Sequence, residues 1–326
     1  MFKKLAKAGV LTQILVILLL GLVYFITPQA NMAQVADPGQ TAPLGAWIYS
    51  LTLSYPDLAR TLVVLLIVAL SLTMNAILVR HDVSPRQSVF PAIIALILML
   101  FTPDAYHLIV TLACLILLLF SLHNVMNLYG EQRPFNMVMN ATVTISVASM
   151  ISPPVIVFIF FVWLGFFTFR TNSWREWAIS LMGLILPYFY LILMYLWNDN
   201  LGYALRIYQD LIRNFSFTIQ QPSPLEFISL GLFAFWTIIS AMRFLADANE
   251  RVISIRKKMW VISHFAFAGI GAVLLSGSAF LSMLPFVFMP VSAMIAHAVS
   301  NGRRAWIHDI ILVLSIAMAI FNRLNV

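Results

Sequence analysis

The chain has 326 residues, 62% of them hydrophobic and only 10% charged, with a net charge of +7 and a mean hydropathy of +0.94. A water-soluble domain carries roughly 45–50% apolar and about 25% charged residues, so an aqueous fold is excluded and a bilayer is the expected solvent. The apolar runs are continuous and Leu/Ile-rich with no period of two, which predicts helices rather than a β-barrel. Cys114 is the single cysteine, so no internal disulfide can form.

In chain order, the hydropathy predicts spans over 5–27, 58–79, 88–102, 105–122, 137–150, 154–169, 177–197, 225–243, 259–282, 285–299 and 305–321. The apolar run from Val10 to Ile26 is longer than the signal-peptide core of about 7–15 residues, so the first span is expected to be retained. The blocks 88–122, 137–169 and 259–299 are too long for one crossing at about 1.5 Å per residue. Each is broken by proline near its middle, and a hairpin is expected in each. The whole chain, 1–326, reads as a single integral membrane domain: an all-α polytopic bundle of about eleven spans.

The basic residues orient it. With the N-terminus in the cytoplasm, all but four of the 19 lysines and arginines fall on the cytoplasmic side. The exceptions are Arg60, Arg206, Arg213 and Arg323, and the bias obeys the positive-inside rule. The basic charge is therefore a topology signal and not a nucleic-acid footprint. Prolines mark the outward helix starts at Tyr55-Pro56, Thr102-Pro103, Ser152-Pro153 and Ser223-Pro224, where the missing N–H costs nothing.

Two outward loops are long, 28–57 and 198–224. Each contains an aromatic-rich, partly amphipathic stretch, Leu44–Leu53 and Leu201–Phe217, expected to lie in the interface plane. Candidate chemistry gathers there. Asp57 and Asp104 follow the helix-starting prolines, where the N-terminal dipole favours a carboxylate. Glu226 stands at capping-box spacing from Ser223. Asp37, in Ala36-Asp37-Pro38-Gly39, is not explained by a helix start. Arg206 and Arg213 lie two turns apart on one face of the second stretch, on the side that disfavours arginine. Their planar guanidinium groups suit a lipid phosphate or pyrophosphate.

Elsewhere the polar residues have structural readings. Ser173 and Glu176 have capping-box spacing, and Trp174 and Trp177 fit an aromatic belt. No two of the six histidines sit at i, i+3 or i+4, so no metal ligand spacing arises. There is no P-loop, no GxGxxG and no nucleophile elbow. Asn75, Asn140, Thr142, Thr144 and Ser146 are the central polar groups, and such residues serve helix packing. Ionisable groups are absent from span centres, which disfavours an ion-coupled carrier.

Arg133-Pro134-Phe135, Ser152-Pro153-Pro154, Asn172-Ser173-Trp174-Arg175-Glu176-Trp177 and Leu186-Pro187-Tyr188 resemble a Bacteroidota family of uncharacterised polytopic inner-membrane proteins. That resemblance implies a bacterial inner membrane without implying a reaction. The layout of two large outward loops on an N-in bundle resembles the polyprenyl-phosphate-sugar-dependent (GT-C) glycosyltransferases. This second resemblance implies an acid in the first outward loop as catalytic, here Asp37 or Asp57. It also implies a polyprenyl-phosphate-linked sugar as donor and envelope glycans or glycoproteins as products. No cofactor is expected, save a divalent cation if the protein is such a transferase. Membrane lipids are expected partners, and other membrane proteins are candidates. Two further readings follow from the residues: a non-catalytic subunit or scaffold of an envelope assembly, and a lipid or small-solute transporter.

Overall fold

The computed structural model describes residues 9–26, 42–85, 88–102, 105–131, 133–171, 173–199, 224–277 and 280–301, with a few single positions beyond these. Helix accounts for 87% of the described residues, with no strand among them. The helices are α1 (Val10–Ile26), α2 (Pro43–Ser54), α3 (Pro56–Arg80), α4 (Phe90–Met99), α5 (Ala105–Met126) and α6 (Phe135–Ile151). A 3-10 turn at Pro153–Val157 leads into α7 (Phe158–Phe169), followed by α8 (Trp174–Trp197), α9 (Pro224–Asn249), α10 (Ile253–Leu274), α11 (Phe280–Met283) and α12 (Pro285–Asn301). Each expected span from 5–27 to 285–299 overlaps one of these helices. The last, 305–321, falls almost wholly outside the described residues.

Four stretches are long and apolar enough to cross a membrane: Asp57–Arg80, Leu108–Met126, Trp174–Trp197 and Leu230–Asn249. The remaining apolar helices are shorter. Helix α4 is the extreme case, with 10 residues, all of them buried. At about 1.5 Å per residue it is about 15 Å long, half of a hydrocarbon core of about 30 Å. The span expected over 88–102 is therefore not completed by this helix alone.

The ends of α3 show why the sequence cuts where it does. Pro56 opens the helix, Asp57 lies in its first turn and Arg80 in its last, a charge order that complements the helix dipole. At its C-terminus the Val83 N–H bonds the Leu78 carbonyl at 2.9 Å and the Asp82 N–H bonds that of Val79 at 3.1 Å. This is a Schellman closure with Asp82 in the left-handed region at φ 59°, which Asp tolerates better than most residues.

At the centre lie α4 and α12, packed extensively against each other. Fourteen of the residues of α12 are buried, including Pro285 and Pro290. Around them stand α1, α3, α9 and α10, while α5 packs on α3 and on α6. Gln13 of α1, fully buried, turns its amide oxygen to the Val89 N–H at 2.6 Å. That bond satisfies a donor at the start of α4, where apolar surroundings offer no water.

Helix α8 is held mainly by α6. Pro187 inside α8 has no N–H, so the Gly183 carbonyl loses its usual helical donor, and the ring crowds the turn before it. The Ser146 hydroxyl donates to the neighbouring Leu184 carbonyl at 2.7 Å, and Ser149 and Tyr188 share a hydrogen bond of 2.7 Å. Thr142 and Thr144 instead bond back to carbonyls of their own helix. Thr142, Thr144 and Ser146 thus serve packing and backbone satisfaction, as their positions suggested, whereas the buried Asn75 Oδ1 meets no hydrogen-bond donor among the described residues. Gly183 permits the approach: a Cβ there would run into Thr142 Oγ1 and come within 3.3 Å of the Met139 carbonyl.

Gly183→Val is accordingly expected to destabilise the protein by about 1–3 kcal/mol through overpacking. Most of the Gly183→Ala loss should be recovered by adding Thr142→Ala. Thermal unfolding of the purified protein in detergent measures both.

Candidate functional site

One end of the bundle collects the charge. The C-terminal ends of α3, α5, α7, α9 and α12 meet the N-terminal ends of α6, α8 and α10 there. Among the described residues, every lysine and arginine except Arg60 lies at or near this end: Arg80, Arg133, Arg170, Arg175, Arg243, Arg251, Arg256, Lys257 and Lys258. Two polar clusters are built into it.

The first joins α3 and α5. His81, 4% exposed, places Nε2 3.3 Å from Nδ1 of His123. The His123 Nε2 lies 3.0 Å from the amide nitrogen of Asn127. With that amide as donor, His123 Nε2 accepts, its Nδ1–H donates to His81, and His81 carries its own proton on Nδ1. Burial lowers the His81 pKa to about 4, helped by the charges of Lys258, His123 and Arg80 and opposed by Asp82. Beside this cluster the Lys257 ammonium sits 5.5 Å from the Tyr129 ring centre, and Tyr129 in turn meets Phe169 edge-on.

The second cluster joins α9 and α12. His297 Nε2 lies 3.0 Å from Asp247 Oδ2, its ring edge-on to Phe244, with the Asn301 amide nitrogen 3.2 Å from Nε2 and 3.4 Å from Nδ1. A carboxylate holding one imidazole nitrogen fixes the tautomer and leaves the other as a base. Here Asn301 lies against the ring and is no closer to that base than to Nε2. Both clusters share one device, a histidine near the C-terminus of a helix with an asparagine one turn later. The imidazole partner comes from a different helix in each.

No i, i+3 or i+4 spacing marks these pairs in the sequence, because the partners are 42 and 50 residues apart. The His-x-x-x-Asn spacing, seen twice, was the available signal. Among the described residues, no three His, Cys, Asp or Glu side chains converge as a metal site requires.

Of the residues singled out from the sequence, Asp57 is exposed in the first turn of α3, at the opposite end of the bundle. Asp37, Arg206 and Arg213 lie outside the described residues, as do Asp104 and the side chain of Glu226. No partner acid for Asp57 is therefore observed. Arg60, at the end opposite the other basic residues, has a structural role: its guanidinium donates to the Phe25 carbonyl at 2.5 Å and lies 5.2 Å from the centre of the Phe25 ring. A cation at the last turn of α1 complements its dipole. The Ser173–Glu176 spacing is right but its bond is not the one a capping box makes. Ser173 donates to the Glu176 carboxylate and makes no side-chain bond to a backbone N–H, so the pair buries Glu176 (7% exposed) without capping α8.

No protein-family model, curated protein or solved structure matches this chain.

The His81 environment predicts a pH dependence. An unfolded histidine takes up its proton near 6.5 and the folded one near 4, so the unfolded state binds more protons in between. Stability is expected to fall as the pH is lowered from about 6.5 towards 4, by at most about 1.4 kcal/mol per pH unit from this group. Unfolding temperatures across that window should show a shallower slope for His81→Gln. An unchanged slope would mean that other groups carry the dependence.

Proposed function

We propose that the chain is a multi-pass protein of a bacterial inner membrane, N-terminus in the cytoplasm, with about eleven crossings and its basic end on the cytoplasmic side. Its action is on a lipid-borne substrate at the outward face, as a transferase using a polyprenyl-phosphate-linked sugar. One observation carries this reading. Helix α2 packs on α5, α6 and α3, with Ala42, Gly45 and Thr52 buried and Leu44, Trp47 and Leu51 exposed. Its 12 residues are too few to cross, and a charge-free helix with an exposed Trp/Leu face suits the headgroup boundary. Tyr55 joins it directly to α3, which puts the exposed Asp57 carboxylate at the same level. Asp57, or Asp37 in the same loop, would then serve as base or cation ligand. Arg206 and Arg213 would hold the lipid phosphate.

The double variant Asp37→Asn/Asp57→Asn is expected to abolish the surface glycans that depend on this protein while leaving its membrane level unchanged. Unchanged glycans at normal protein level would sink the catalytic reading. A second reading, a non-catalytic subunit of an envelope assembly, is favoured by the structural roles of Arg60 and Glu176. It predicts intact glycans in that variant, together with co-purifying membrane proteins in mild detergent.

A further inference from the structure

An imidazole nitrogen carries either one N–H or one lone pair, so it serves a single hydrogen-bond partner well. His297 Nε2 has two polar neighbours, Asp247 Oδ2 at 3.0 Å and the Asn301 amide at 3.2 Å. With its proton on Nε2, His297 donates to the carboxylate and meets the amide NH2 as one donor meets another. With its proton on Nδ1, Nε2 accepts from the amide but turns its lone pair to the carboxylate. Turning the amide over sets two acceptors against one N–H. Every arrangement leaves one contact unmatched.

A cation between the three side chains matches all of them. Two ligand atoms each about 2.1 Å from an ion and at right angles to one another are about 3.0 Å apart. Asp247 Oδ2 and the Asn301 amide already keep close to that spacing from Nε2. The helices favour the same charge. Asp247 lies in the last turn of α9, and His297 and Asn301 close α12, so the negative ends of two helix dipoles meet at the cluster. Helix α9 brings no basic side chain of its own to that turn. Arg251, exposed and just past it, is the cation whose charge acts on His297.

From this convergence we infer that Asp247, His297 and Asn301 form a binding site for a divalent first-row transition cation, which clamps the C-terminal ends of α9 and α12 together. The ion takes the place of a proton on Nε2, and the ring keeps its remaining proton on Nδ1. Asn301, turned to present Oδ1, is the third donor, an amide rather than a third His, Cys, Asp or Glu. The imidazole selects for a transition ion, while the two oxygen ligands are of the kind Mn2+ also takes. Asp247 and Asn301 are both exposed, which leaves water free to fill the remaining positions. The His81–His123 cluster is different, because there Asn127 lies against the far nitrogen of His123 and only two groups meet. The site is independent of the reading given to Asp57, which lies at the other end of the bundle.

The test uses the full-length protein, purified in detergent without a histidine tag and stripped with a chelator. Zn2+, Mn2+ and Mg2+ are titrated in separately, with stabilisation against heat as one readout and bound metal per chain as the other. Zn2+ or Mn2+ is expected to saturate at about one ion per chain, about tenfold or more tighter than Mg2+, which gains little from imidazole. Asp247→Asn and His297→Gln should each weaken that binding about tenfold or more. Asn301→Ala, at an exposed position, should weaken it as well and stands in if either of those variants does not fold. Arg251→Gln removes the opposing charge and should tighten it, a response that a plain His297–Asp247 hydrogen bond does not give. The control His81→Gln takes a histidine from the other cluster and should leave the affinity within about twofold. Absence of saturable binding by both Zn2+ and Mn2+, equally tight Mg2+, or equal weakening by His81→Gln would overturn the site.

Discussion

Every polar backbone group inside this bundle must find its partner within the protein, because neither lipid nor a dry core supplies one. The rest of the structure follows from how that is met. Where a helix starts or breaks inside the apolar region, a side chain from a neighbouring helix completes the bond. Gln13 serves the start of α4 and Arg60 serves the end of α1, while Ser146 adds a bond at the Leu184 carbonyl, next to the Gly183 carbonyl that Pro187 leaves without its helical donor. Polar residues are thereby spent on backbone satisfaction, and ionisable groups are left to the two ends.

Helix α4 is short and opens at Pro91, α12 carries Pro290 within it, and both lie in the centre. There α1, α3, α9 and α10 cover them, and few of their side chains reach the surface. The long helix α8 has the opposite fate. It touches the bundle chiefly through the small and hydroxylated face of α6 and exposes most of its distal half, with Trp197 89% exposed. Close approach at Gly183 makes a narrow attachment sufficient, since packing and hydrogen bonds replace the hydrophobic drive that lipid removes.

Helix positions were legible because continuous apolar runs broken by proline leave little freedom about where a helix begins. The proline rule placed the starts of α3 and of the Pro153 turn correctly. It could not foresee that Pro153-Pro154 would form a 3-10 turn before α7, nor that α4 would stop after ten residues. Those depend on neighbours. Ser173–Glu176 shows the same limit: spacing identified the pair, while burial of the carboxylate decided that the hydroxyl would serve it rather than the backbone. The histidine clusters were illegible for a related reason, since each joins helices distant in sequence. Of the outward residues proposed for chemistry, only Asp57 lies among the described residues, and its place at a helix start is what the dipole argument already gave.

The account turns on the basic end facing the cytoplasm. Side-specific labelling of single cysteines in intact cells, in a Cys114→Ala background, tests this most directly. A cysteine replacing Tyr55, between α2 and α3, should react with a thiol reagent that cannot cross the inner membrane. A cysteine replacing Glu131, between α5 and α6 at the basic end, should react only after the membrane is permeabilised. The reverse pattern, or labelling of both in intact cells, would contradict the orientation on which the account rests.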